Sequence, residues 1–226
     1  MRTTNKPRFN ECTERATKLL CQQELLGRAL SIRKLTYDRC IIFDTIQNYA
    51  AVTGFSEDQL RNTLLRDGCV LKKRGANIVL YEESTFGHWE RFNWTLGHEV
   101  GHIYMDHTHH GSTEEVEAHF FTSQLFLPEY TIRQMVKKYR IIDANDLSQI
   151  FWVSVEAAKK RIRTLKKYHS QKWLPEDFQI YKRLYERIDF YFYCKKRDLN
   201  FRRALIDREV ARAEREREKY EMLHFL

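Results

Sequence analysis

No run of about 20 apolar residues occurs anywhere in this 226-residue chain, so no helical membrane span is expected. Met1-Arg2-Thr3-Thr4-Asn5-Lys6 leads into no apolar core of the kind a secretory signal needs. The five cysteines (12, 21, 40, 69 and 194) are widely spaced, and none falls in a C-x-x-C pair. That pattern argues against a disulfide framework and for reduced thiols in the cytoplasm. Internal repeats and low-complexity tracts are also missing. What is present is globular: 42% hydrophobic and 31% charged residues, enough chain for one or two domains with a real core.

The charge is unevenly distributed. Residues 131–226 hold 24 of the 39 Lys and Arg but only 14 of the 31 Asp and Glu, a net +10 against −2 for residues 1–130. A basic half can attract nucleic acid or acidic protein. It can equally be a set of solvated charged helices, which is the commoner case.

One stretch organises the rest, Trp94-Thr95-Leu96-Gly97-His98-Glu99-Val100-Gly101-His102. With 9 His in 226 residues, about 0.03 such HExxH matches are expected by chance. On a helix, residues four apart share a face, so His98 and His102 can grip one metal ion. Glu99, next to His98, can then serve as general base toward a water at the open position of a zinc ion.

A third ligand is needed. One large class places Gly three residues after the second His and another His three residues later. Met105 and Thr108 stand there and exclude that class. A glutamate from the following helix is the other common solution. That helix reads Glu114-Glu115-Val116-Glu117-Ala118-His119-Phe120-Phe121-Thr122-Ser123-Gln124-Leu125-Phe126-Leu127-Pro128.

The two stretches together resemble the ImmA/IrrE family of metallopeptidases. Arg91 matches the family's first arginine, Trp94 stands where it has phenylalanine, and Leu125-Phe126-Leu127-Pro128 matches the end of its second motif. Asn93 in place of the second arginine and His119 in place of an asparagine are departures. The resemblance spans roughly residues 68–165 and is strongest over 91–128. Aligned on Pro128, it implies zinc on His98, His102 and Glu115 with Glu99 as base. It also implies limited, site-specific cleavage of a repressor-type transcription factor of a mobile element or stress response.

The residues themselves also favour Glu115. Ala118 and Thr122, three and seven residues on, give that face small side chains and let it approach the active helix closely. Glu117 shares the opposite face with Phe120, Phe121 and Gln124, and Glu114 is the rival by one residue. His119, one turn beyond Glu115, reads either as a residue that orients a ligand or as a partly buried polar side chain. His107, His109 and His110, and less strongly Tyr104 and Tyr130, are candidate donors to an oxyanion. For each loop histidine the plainer alternative is a solvated polar loop.

The remaining chain is read in order. Residues 8–30 have helical apolar spacing, as does Ile41-Ile42-Phe43 through Tyr49-Ala50. Ser56 caps a helix over 57–66. Cys69–Lys72 and Asn77–Tyr81 flank a hairpin turn holding Gly75. In the resembling family this sheet lies beside the active helix, and its edge strand can receive an extended peptide.

Beyond Pro128 the pattern is helical. The pair 143–151 and 154–167 resembles a helix-turn-helix, with Ser154 as cap and Trp152 at a turn position where glycine is common. Two amphipathic helices follow, lined by Ile180, Leu184, Ile188 and Tyr191, and by Ile206, Val210, Ala213 and Tyr220.

The expected fold is α+β and predominantly helical. A zincin-like metallopeptidase core (1–130) would be followed by a helix-turn-helix-like unit (131–170) and a basic helical extension (171–226). The expected partner is a protein substrate, a repressor; the basic C-terminal half makes nucleic acid the second candidate, and no membrane partner is indicated. A second class keeps the zinc fold as a scaffold for a DNA- or partner-binding regulator. Retention of Glu99 argues against it, because a purely structural zinc site needs no base.

Overall fold

A computed structural model of the chain describes residues 6–23, 29–63, 68–73, 75–82, 87, 89–109, 111–170 and 172–224. The fold is α+β and predominantly helical, with one small sheet. The chain forms two compact units, Met1–Arg183 and Leu184–Leu226.

In the first unit, α1 spans Phe9–Cys21 and buries Cys12, Ala16, Leu19 and Leu20, a stripe at helical spacing. The helical reading of 8–30 is too long, since α1 stops at Cys21 and residues 24–28 lie outside those described. Gln23 follows the helix end and ties it to a later loop, donating to Leu19 O (2.7 Å) and Thr36 O (3.0 Å).

The segment Ile41–Thr45 corrects an expectation. It is a strand, β1, rather than the start of a helix. β1 pairs in parallel with β3 (Ala76–Tyr81), with Ile42 opposite Ile78 and Phe43 opposite Val79. A short apolar run rich in β-branched residues fits either structure, and here a partner more than 30 residues away decides it. Thr45 then caps α2 (Ile46–Thr53) by accepting from Asn48 N (3.0 Å). At α3 (Glu57–Thr63), Ser56 Oγ accepts from Gln59 N and Gln59 Oε1 from Ser56 N, a reciprocal cap. Residues 64–66 of the expected helix lie outside the described ones.

β2 (Gly68–Lys73) pairs antiparallel with β3 through a turn in which Gly75 has φ +83°. That left-handed conformation costs glycine nothing. The strand order β1-β3-β2 leaves β2 at an edge, against α4 (Trp89–Tyr104).

α4 and α5 (Ser112–Phe126) meet through small residues. A Cβ on Gly101 would lie 2.9 Å from Ala118 O and 3.1 Å from its Cα. One on Gly97 would lie 2.8 Å from Phe126 Cε2 and 3.1 Å from Thr122 Cγ2. Gly101 therefore faces rigid backbone, whereas Gly97 faces side chains that can shift.

This contact yields a prediction. Alanine normally gains up to about 1 kcal/mol over glycine in a helix, but overpacking a core costs about 1–3 kcal/mol. Gly101→Ala is therefore expected to lose roughly 1–2 kcal/mol, and Gly97→Ala less. Urea denaturation in the presence of chelator measures both, and a stabilised Gly101→Ala protein would contradict the packing described.

After α5 come α6 (Glu129–Tyr139), α7 (Ala144–Phe151) and α8 (Val155–Lys167). Trp152 ends α7 in the left-handed region at φ 57°, and Ser154 caps α8 by accepting from Ala157 N (3.1 Å). Arg161 of α8 is buried, donates from Nε to Leu127 O (2.9 Å), and also bonds Gln124. α8 is thereby fixed to the end of α5.

α9 runs Pro175–Lys196 and α10 runs Phe201–His224. In the second unit, Leu184, Ile188 and Tyr191 are buried, and the Tyr191 ring centroid lies 5.1 Å from that of Phe201. The expected buried face of α10 is wrong. Phe201 and Leu205 are buried, whereas Ile206, Val210 and Tyr220 are about half exposed or more. Ile206 is one residue, about 100° of helix rotation, past Leu205, so the two cannot share a face. Among the described residues, no helix is long and apolar enough to cross a membrane.

Candidate metal centre

α4 carries His98, Glu99 and His102 in its buried half. Burial holds the helix in place: Leu96, Val100 and Ile103 are 0–2% exposed. Asn93, where the resembling family has arginine, is also buried. It accepts from Ile32 N (2.8 Å) and donates to Leu30 O, pinning the segment that precedes the sheet. Trp94 stacks on Phe126 of α5 with centroids 5.6 Å apart.

His98 Nε2 and His102 Nε2 lie 3.1 Å apart. Glu115 Oε2 is 3.4 Å from His98 Nε2, and Glu115 Oε1 is 3.4 Å from His102 Nε2. Three donors around one tetrahedral zinc at about 2.0–2.1 Å stand roughly 3.3 Å from one another, so this donor set fits such an ion. The imidazoles are nearly inaccessible, whereas the Glu115 side chain is 22% exposed, leaving the centre open on that side. Catalytic zinc sites need such an open position.

His119 lies against the same place. Its ring centroid is 4.3 Å from that of His98, and His98, Glu115 and His119 can each offer a ligand atom within 4.8 Å of the others. His119 is exposed rather than partly buried. Glu114, the rival to Glu115, instead has Oε1 3.1 Å from His109 Nε2.

Glu99 is 4% exposed and faces the start of β2; a Cβ on Gly68 would stand 3.4 Å from Glu99 Cγ. The neighbouring Cys69 thiol is pushed up to about 12, mainly by burial and secondarily by the Glu99 charge.

His107 corrects a further expectation. It belongs neither to a solvated loop nor to an oxyanion hole. It is buried, with Nδ1 2.9 Å from His102 Nδ1 and Nε2 2.9 Å from Glu117 Oε2. Glu117 in turn accepts from the backbone N of Arg8 (2.7 Å) and from its Nη2 (2.7 Å) and Nε. Arg8 Nη2 also donates to Met105 O (3.0 Å), so the chain leaving α4 is held at the same point.

Burial alone would raise the Glu117 carboxyl. Hydrogen bonds from Arg8 and His107 outweigh that and hold it at about 2. The proton order follows from the partners. Ionised Glu117 can only accept, so His107 Nε2 carries its proton and His107 Nδ1 is an acceptor. His102 must then donate from Nδ1, which leaves its Nε2 lone pair directed at Glu115 and His98. Arg8 and Glu117 are 109 residues apart, and no local pattern in the sequence announces their link.

Outer hydrogen bonds of this kind typically contribute 10–100-fold to metal affinity. Glu117→Gln and His107→Ala are therefore each expected to weaken metal binding by about that factor, with helix content unchanged. Chelator competition measures it, and unaltered affinity in both would dismiss the relay.

Of the other candidates, Tyr104 donates to Asp38 Oδ1 (2.6 Å), and burial followed by Asp38 raises its phenol. Tyr130 sits among Trp173, Phe178 and Tyr181. His109 is exposed, and His110 lies outside the described residues.

Residues 74–163 match the family described as the IrrE N-terminal-like domain, a peptidase family. No curated protein and no solved structure matches the chain. The matched span runs from β3 through α4, α5, α6 and α7 into α8, ending before the last turn of α8.

Proposed function

We propose that this chain, whose residues 74–163 match the IrrE N-terminal-like domain of a peptidase family, is a zinc-dependent endopeptidase making limited cuts in a regulatory protein. The observation that carries this is two things at one place: ligand-distance contacts among His98 and His102 of α4 and Glu115 of α5, and a buried carboxylate, Glu99 of α4, beside them. A scaffold has no use for Glu99 there.

His98, His102 and Glu115 would hold the ion. Zinc in such a site acts as a Lewis acid toward the substrate carbonyl and makes water more acidic. The protein's own residues do the rest. The Glu99 carboxylate accepts the proton of the attacking water and returns it to the leaving amine, one group acting as base and then acid. The relay through His107 and Glu117 keeps His102 in the tautomer with a free Nε2 lone pair. Edge strand β2, beside α4, would pair with an extended substrate backbone by strand addition. A repressor-type transcription factor is the substrate class the family relationship favours, and the five unbridged cysteines favour a cytoplasmic setting.

The test has two parts. Elemental analysis of purified protein should find about one zinc per chain. Glu99→Gln protein used as bait in the native host should then retain a substrate that wild type converts into discrete fragments. Absence of zinc, or captured proteins that wild type leaves intact, would overturn the proposal.

A further inference from the structure

We propose that a groove between α4, α5 and α8 is a specificity subsite for acidic side chains of a peptide substrate, with α8 as its reading wall. This rests on the peptidase reading above.

The groove encloses about 910 Å³ and contains His119 and Thr95. His119 also belongs to the ligand-distance group with His98 and Glu115, so the groove borders the metal centre at that residue. Thr95 precedes Glu99 by one helical turn and lies on its face. A chain lying in the groove therefore runs toward the reacting position. Trp94 and Phe120 supply an apolar floor.

The wall is basic. α8 lines the groove with Ala157, Lys160, Thr164 and Lys167, whose spacing of three and four residues defines one helical face. Lys160 and Lys167 are exposed and form no ion pair among the described residues. Arg163 stands at the same rim, 3.3 Å from Glu156. Arg91, Lys160, Arg163 and Lys167 outnumber Glu90 and Glu156, for a net +2 without His119. The buried Arg161 bonds to Leu127 and Gln124 fix this face relative to α5.

In a helix-turn-helix pair the second helix is the reading element. Here one face of that helix is turned into the groove. Its charge complements glutamate or aspartate in a peptide, and its small residues Ala157 and Thr164 leave room for a backbone.

Exposed ion pairs are individually weak, so each lysine should contribute only a few-fold and the pair about 10-fold in selectivity. The full chain, loaded with zinc, is given three fluorogenic 12-residue peptides that differ only in carrying Glu, Gln or Lys at their variable positions. kcat/KM is expected to rank Glu over Gln over Lys. The double variant Lys160→Glu/Lys167→Glu should invert that order at equal zinc content. Should that variant fold poorly, Lys167→Gln alone, in the last turn of α8, should narrow the ranking. Raising salt toward about 1 M should narrow it for wild type too, since the screening length falls to about 3 Å.

Equal cleavage of the three peptides, or a ranking untouched by the lysine changes, overturns the subsite and leaves the peptidase standing. In a parallel measurement, Glu99→Gln protein binds the same labelled peptides. If wild type cuts none of them yet lysine-dependent preference for the Glu peptide persists in binding, the subsite stands and the peptidase reading falls. No preference in binding or in cleavage removes the subsite. Displacement of the Glu peptide by a short DNA duplex that binds more tightly through the same lysines also overturns it, in favour of a nucleic-acid surface.

Discussion

Glu99→Gln is expected to lower cleavage of the captured substrate by about 10²–10⁴-fold while metal content and fold stay unchanged. Glutamine nearly matches glutamate in shape, so the packing of the side chain against the Gly68 end of β2 survives. Its amide cannot take a proton from water, so the one function lost is proton transfer. Glu99 is 4% exposed, which denies bulk water the chance to stand in for the missing base. The loss should fall on kcat, with substrate affinity kept, because Glu99 acts on the attacking water rather than on ground-state binding. Equal physiological activity of mutant and wild type would defeat the hydrolytic reading. The scaffold or DNA-binding regulator would then be the better account, whatever the zinc content.

What could be read from the sequence was mostly local. Two histidines four apart on a helix need no tertiary information to share a face, and the structure has His98 and His102 with Nε2 atoms 3.1 Å apart. The small residues Ala118 and Thr122 announced a close helix contact, and they lie against Gly101 and Gly97 of α4. Side-chain caps such as Ser56 and Ser154 are equally local.

Features that depend on distant partners were hidden. β1 is a strand because β3 offers it a ladder, and its own apolar run does not distinguish strand from helix. The burial of His107 depends on Glu117 and, through it, on Arg8, which arrives from the other end of the unit. A histidine between Asp106 and Thr108, outside any periodic pattern, reads as solvated loop until that arginine is in place. The exposed face of α10 failed for a related reason: apolar spacing marks a stripe, but a neighbour decides which stripe is covered.

The ligand set should separate cleanly by residue. His98→Ala and His102→Ala each remove a buried nitrogen donor from a group held at 3.1–3.4 Å, and each is expected to abolish metal binding at ordinary concentrations. Zinc sites of four ligands bind with about 10–16 kcal/mol, so one ligand accounts for roughly 3–4 kcal/mol, or about 10²–10³-fold. Glu115→Gln should therefore weaken zinc by that much, and Glu114→Gln, whose carboxylate faces His109, far less. Glu117→Gln complicates a simple affinity ranking, because the relay predicts a 10–100-fold loss without any change of ligand. The absorption spectrum of the cobalt-substituted protein resolves the two. Loss of a ligand alters coordination and shifts the visible bands of Glu115→Gln, whereas Glu117→Gln should bind cobalt more weakly with the wild-type spectrum. His119 competes with His102 to complete the group around His98 and Glu115. If His119→Ala shifts the bands and His102→Ala does not, the ion sits on the exposed side of α5, and Glu99 must act across a longer gap than the HExxH arrangement provides. The burial of His102 and its order-fixing bond to His107 favour the opposite result, with His119→Ala keeping the wild-type spectrum and about one zinc per chain.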